Sequence, residues 1–260
     1  MNQTTNPGVS RPKILEACVD SLESALAAVQ GGANRLELCA NLIIGGTTPS
    51  PALFHAVQEQ VNVPIRVLIR PRFGDFLYTP AEHRIMVEEV SYFTCHGASG
   101  VVIGALRPDG TLDTQQMEKL ISAAGDCAVT LHRAFDVCSD PFRCAQEAIS
   151  LGVSTILTSG QKENAWAGRD CIHALLNHTQ GRAEILIGGG VNATVIQNFR
   201  RESPLATSFH LSGKQVLDSG MDYRNKEVSM GLPGISEFQV WRTQASAIRQ
   251  AAQALWGEEA

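Results

Sequence analysis

No apolar run in this 260-residue sequence approaches the ~18 residues that a membrane-crossing helix needs. The polar opening MNQTTNPGVSRPK has no signal-peptide h-region and is not a transit helix, so we expect a soluble, cytoplasmic protein with a loose tail over residues 1–12. A basic stripe is also missing. Lys and Arg are scattered and the formal net charge is −5, which argues against nucleic acid as a partner. The cysteines Cys18, Cys39, Cys95, Cys127, Cys138, Cys144 and Cys171 form no C-x-x-C pair and are odd in number, so reduced thiols are expected.

What the sequence does have is alternation. Short β-rich runs at 14–19, 35–39, 65–70, 100–105, 128–133, 155–159, 184–188 and 208–212 are separated by amphipathic segments near 21–31, 50–60, 80–96, 114–124, 140–151, 164–178 and 192–202. A last helix is expected near 236–254. Cap signals such as Ser50-Pro51, Thr79-Pro80 and Asp140-Pro141 precede several of the helices. Eight β-then-α units in a row predict a single (β/α)8 TIM barrel over residues 13–256. A doubly wound sheet would usually carry a glycine-rich phosphate loop after its first strand, where this chain reads CVDSLES. The connection over 213–235 is too long for an ordinary turn and reads as a functional or interface loop.

Strand side chains alternate, and the apolar parity should face the surrounding helices. Leu15, Ala17 and Val19 then point outward, leaving Glu16 and Cys18 inside; Leu36 and Leu38 point outward, leaving Glu37 and Cys39 inside. The same split turns Arg70, His132, Thr158, His210 and Ser212 inward. Barrel interiors are normally filled by branched apolar side chains, so charged groups there must be paired or serve a ligand. Glu37 and Arg70, on neighbouring strands, are the expected ion pair. Glu16, Glu37, His132 and His210 form a candidate acid–base set. At the rim, Arg70, Arg72 and Arg133 join Gly188, Gly189 and Gly190 before a helix, and Ser212 in the turn after the last strand, as candidate anion contacts.

The stretches EACVDSLESALAAVQGGANRLELCANLIIGGTTPS, IRPRFGDFLY, HRAFD, LTSG, GGGVN, FHLSG and MDYRN, in that order, closely resemble the CutC family of copper homeostasis proteins. The resemblance runs from about residue 14 to 249 and implies a cytoplasmic TIM barrel associated with copper handling, with Cys18 and Cys39 as proposed Cu(I) ligands. Where the family often carries a further cysteine after its last strand, this chain has Leu211.

Two functions from different classes follow. Soft thiolates select Cu(I), and inward cysteines at matching heights on strands roughly 4.8 Å apart would share one ion. Alternatively, the acid–base set and the arginines describe an enzyme acting on a small anionic or phosphorylated metabolite, of unspecified reaction. Lys214 lies just beyond the last strand, and no lysine occupies an inner strand position, which gives a Schiff-base aldolase little support. A homodimer is the default oligomer, with the 213–235 loop as its contact.

Overall fold

The computed structural model describes residues 12–225, 227–228, 230 and 234–257; apart from Pro12, the expected N-terminal tail lies outside the described residues. Eight parallel strands close a barrel in sequence order: β1 (Ile14–Val19), β2 (Arg35–Leu38), β3 (Ile65–Leu68), β4 (Gly100–Ile103), β5 (Ala128–Leu131), β6 (Thr155–Thr158), β7 (Glu184–Ile187) and β8 (Ser208–Leu211). The helices α1 (Leu22–Gln30), α2 (Pro51–Gln58), α3 (Pro80–Cys95), α4 (Thr114–Ala124), α5 (Pro141–Ser150), α6 (Arg169–Thr179), α7 (Ala193–Glu202) and α8 (Ala245–Trp256) follow the strands in turn. This is the expected TIM barrel. None of the described helices is long and apolar enough to cross a membrane.

The helices begin where side chains can satisfy free backbone N–H groups. Ser21 accepts from the Ser24 amide, Asn192 accepts from the Val195 amide, and Thr79 with Glu82 forms a capping box behind Pro80. Each such cap is worth about 1 kcal/mol. The outward strand residues, including Leu15, Ala17, Val19, Leu36 and Leu38, are fully buried beneath the helices and form one continuous apolar layer with them. A second, small cluster of Cys18, Cys39, Leu68 and Val102 sits apart from it.

Two expectations about the last third of the chain are corrected. The segment from 213 is not simply a loop, because β9 (Lys214–Asp218) pairs antiparallel with β10 (Gln239–Thr243). The last helix starts at Ala245 rather than near 236, since the alternating QVWRT run is taken up by that ladder. Thr243, at the end of β10, donates its side-chain hydroxyl to the Ser212 carbonyl at 2.9 Å and fixes the hairpin at the barrel's mouth. Val216, Leu217 and Val240 stand exposed on it. Residues 226, 229 and 231–233 of the expected loop lie outside the described residues.

Candidate functional site

The lower barrel interior is filled by charges that answer one another. Arg35 of β2 bonds Glu16 of β1 through Nε and Glu184 of β7 through both terminal nitrogens, at 3.0 and 2.9 Å. Arg66 of β3 donates to the hydroxyls of Thr130 and Thr155 at 2.6 and 2.8 Å, and Thr155 in turn donates to Glu184 at 3.2 Å. Arg35, Arg66 and Glu184 share inward parity with the residues singled out from the sequence but were not among them. The signal that could have found them was there, since RLEL, IRVL and EILI each carry a charge on the inward parity.

Glu16 links this network to the next layer. Its other carboxylate oxygen accepts from His210 Nδ1 at 2.8 Å, and His210 Nε2 lies 3.6 Å from Glu37. Burial pushes the Glu16 carboxyl up, but Arg35 and His210 hold it down at about 2. Glu37 goes the other way, raised by burial and by the charge of Glu16 against the opposing pull of His210. Burial alone would lower His210, yet the charge of Glu37 and the contacts with Cys18 and Glu16 raise it well above the usual imidazole range. The raised ring and the lowered Glu16 favour an imidazolium–carboxylate pair, with Glu37 on the ring's other side.

The thiols lie above this pair. The register sets Glu16 opposite Arg35 and Cys18 opposite Glu37, so the two Glu-x-Cys units are staggered by two residues instead of standing at matching heights. Closing a sheet into a barrel imposes that stagger. The sulfurs still meet: those of Cys18 and Cys39 are 3.8 Å apart, with Cys39 fully buried and Cys18 nearly so. Cys18 is pushed up by its contact with Cys39 and by burial; Cys39 is lowered by that contact but raised overall by burial and by the charges of Glu37 and Asp20. The Cys18 sulfur, a Glu37 carboxylate oxygen and a His210 ring nitrogen all lie within 4.8 Å of one another.

A cavity of about 580 Å³ opens above this layer, lined by Cys18, Glu37 and His210 on one side and by Arg70, His132 and Arg133 among its other residues. Gly189, Gly190 and the first residue of α7 also reach it, as do Ser212 and Lys214. Of the sequence candidates, Glu16, Cys39, Gly188 and Arg72 do not line it. Glu16 lies deeper, and Arg72 is turned aside to Glu82 and Asp75 at 2.6 and 3.0 Å. Thr158 is corrected: Thr155 and Leu157 take the inner positions of β6, so Thr158 has the outward parity, where its hydroxyl donates to Asp136 at 2.6 Å. The Glu37–Arg70 pair is corrected too. Arg70 donates instead to the carbonyls of Gly45, Gly46 and Gly74, while Glu37 faces His210.

Near the rim, Arg133 is held by Asp136 at 2.7 Å and by the Ser159 hydroxyl at 2.8 Å. Asp136 also accepts from the Ser159 amide and hydroxyl, each at 3.0 Å, so a single carboxylate organises the turns after β5 and β6. Gly189 has a φ of +92°, and a Cβ there would come within 2.9 Å of Ser159 and 3.7 Å of the Arg133 guanidinium. Only glycine combines that backbone conformation with so close an approach.

Comparison with other proteins agrees with this architecture. A copper homeostasis protein cutC homolog of Mus musculus is 39% identical over 243 residues, covering 93% of this chain and 89% of its own. The family protein CutC of Histophilus somni is 40% identical over 234 residues, covering 90% of this chain and 96% of its own. The crystal structure of CutC from Streptococcus agalactiae superposes with a TM-score of 0.72 at 31% identity, over 77% of this chain and 98% of that one. A 4-hydroxy-2-oxoglutarate aldolase at 14% identity and a TM-score of 0.51 shares the fold alone. The CutC family match itself spans residues 13–215, and with these relatives it shows that the chain is a copper homeostasis protein belonging to the CutC family.

Proposed function

We propose that this protein handles copper by binding Cu(I) between Cys18 and Cys39. The observation that carries the reading is the 3.8 Å separation of the two sulfurs, which come from neighbouring strands and face one cavity through Cys18. Two soft sulfur donors side by side suit Cu(I) better than a hard divalent cation. The carboxylate of Glu37 is a hard donor; its role is to hold His210 rather than to ligate. Both thiols are held protonated in the metal-free protein, so binding the ion displaces protons into the Glu37–His210 layer or the cavity.

The reading keeps the protein in the cytoplasm, where seven free thiols stay reduced. The exposed Val216, Leu217 and Val240 of the hairpin favour the expected homodimer. Anaerobic competition against a chromophoric Cu(I) chelator tests the site. The Cys18→Ser plus Cys39→Ser double variant should lose more than the about 10–100-fold in affinity that removal of a mere outer-shell partner costs. Unchanged affinity in a folded double variant would remove these sulfurs from copper binding.

A further inference from the structure

Arg70 is a buried cation without a counter-ion. It is 8% exposed, and its terminal nitrogens donate to the carbonyls of Gly45, Gly46 and Gly74 at 3.2, 3.0 and 2.8 Å, all neutral groups. No carboxylate among the described residues bonds it, and its Nε–H, buried from water, has no hydrogen-bond partner. The other two buried arginines inside the barrel differ. Arg35 is clamped by two carboxylates, and Arg66, though its one bonded terminal nitrogen meets only threonine hydroxyls, lies in the field of Glu16 and Glu184. A charge removed from water and left unpaired is costly, so a position that keeps one implies something that compensates it.

A second orphan lies nearby. His132 is 4% exposed, and its Nδ1 accepts from the Ala134 amide at 3.1 Å, which leaves the ring proton on Nε2. That Nε2 is buried and has no partner. Burial and the charge of Arg70 push the ring down to about 3, so it is a neutral donor at physiological pH. The position is built for the ring, because a Cβ on Gly104 would come within 2.6 Å of it. Both residues line the same 580 Å³ cavity as the Gly189–Gly190 turn and the N-terminus of α7, whose dipole favours negative charge.

Between the two orphans lies one aromatic ring. Phe76 sits 5.0 Å from the Arg70 guanidinium and 4.8 Å from the His132 ring, and is itself only partly buried. It belongs to the segment from 69 to 79, where Phe73 and Leu77 are exposed. A ligand that reaches both N–H groups therefore meets this ring as well.

From these observations we infer that the mouth of the barrel is a binding site for a small organic oxyanion, its carboxylate or phosphate group taken by Arg70 Nε–H and His132 Nε2–H, with Arg133 and the start of α7 along the same wall. The cavity volume lies in the range of ordinary small-molecule sites. The inference does not depend on copper, since neither orphan donor is a proposed copper ligand.

The test uses the full-length, reduced, metal-free protein with 15N-labelled histidine, titrated separately with inorganic phosphate and with malonate at ionic strength held constant by chloride. Ring-nitrogen spectra should show a saturable shift of the His132 Nε2–H resonance with at least one titrant, and the titrant that acts tells a phosphate from a carboxylate ligand. Affinity, read for every variant by isothermal titration calorimetry with the same titrants, should fall at least tenfold in Arg70→Met and in His132→Phe, two variants that guard against misfolding of either one, and stay unchanged in Arg143→Gln, an exposed arginine paired with Glu147 on α5. The proposal is overturned if neither titrant moves the His132 ring beyond the chloride control, or if the folded Arg70 and His132 variants bind as tightly as the parent.

Discussion

The floor and the mouth of this barrel are both lined by charge, but the charge does opposite things in the two places. At the floor, Arg35, Glu16 and Glu184 use their strong donors and acceptors on one another, and Arg66 closes the set through Thr130 and Thr155. At the mouth, Arg70 finds only backbone carbonyls and His132 keeps a free N–H. A satisfied network rigidifies the interior and asks nothing of the solvent, whereas an unsatisfied one stores free energy that a ligand can release. Between them, His210 touches both layers, bonded to Glu16 below and facing Glu37 and Cys18 above. The copper reading and the oxyanion reading both belong to the upper half.

The largest test of this contrast replaces an arginine in each region by methionine. Arg35→Met strips the buried Glu16 of its arginine, leaving only His210 beside it, a loss of about 3–5 kcal/mol. Arg70→Met removes hydrogen bonds to neutral carbonyls, two of them at the exposed Gly45 and Gly74, and sheds an uncompensated charge, so the net cost should be about 1 kcal/mol or less. Urea unfolding of both variants reads the difference directly. Equal losses would mean that Arg70 is as fully compensated as Arg35 and that the contrast between floor and mouth is false.

A smaller effect comes from His132 through pH. Its native ring is pushed down to about 3 against an ordinary value of 6.5, by burial first and by Arg70 second. Between those two values the unfolded chain binds a proton that the native chain refuses. Stability therefore falls as pH drops through that window, by at most about 1.4 kcal/mol per pH unit, and the slope from His132 fades out about one unit above 6.5. A His132→Asn variant, melted from pH 7 to 4 beside the parent, should lose stability less steeply. Parallel curves would show that the native ring titrates normally and is not a dry neutral donor.

Much of this arrangement was legible in the strands themselves. Alternation alone turned Glu16, Cys18, Glu37, Arg70, His132 and His210 inward, because the apolar parity of each strand had to meet the helices. It failed for Thr158, where TILT offers an inward candidate on either parity and only the bond from Arg66 to Thr155 decides between them. What alternation cannot carry is register. The stagger of β1 against β2 put Cys18 beside Glu37, and the turns at Gly45, Gly46 and Gly74 brought carbonyls to Arg70 where a strand-to-strand pairing had placed Glu37. Those contacts depend on barrel closure and on loop geometry, neither of which is written in a local pattern. The QVWRT strand was missed for a related reason, since its partner lies across the chain at Lys214–Asp218.

The smallest effect sharpens the contrast within a single loop. Arg72 follows Arg70 by two residues and carries the same charge, yet it bonds Glu82 at 2.6 Å and Asp75 at 3.0 Å, with about a third of its side chain in water. Solvent supplies most of what those partners supply, so such a pair is worth about 0–1 kcal/mol despite its good geometry. Arg72→Gln should therefore shift the melting temperature by no more than about 4 °C, with the shift shrinking further in high salt. A larger loss would mean that the bonds of Arg72 to the Phe73, Asp75 and Leu77 carbonyls hold the 69–79 segment, and with it Phe76, in place over the mouth. In that case the two neighbouring arginines divide one task, Arg72 fixing the cover and Arg70 waiting beneath it.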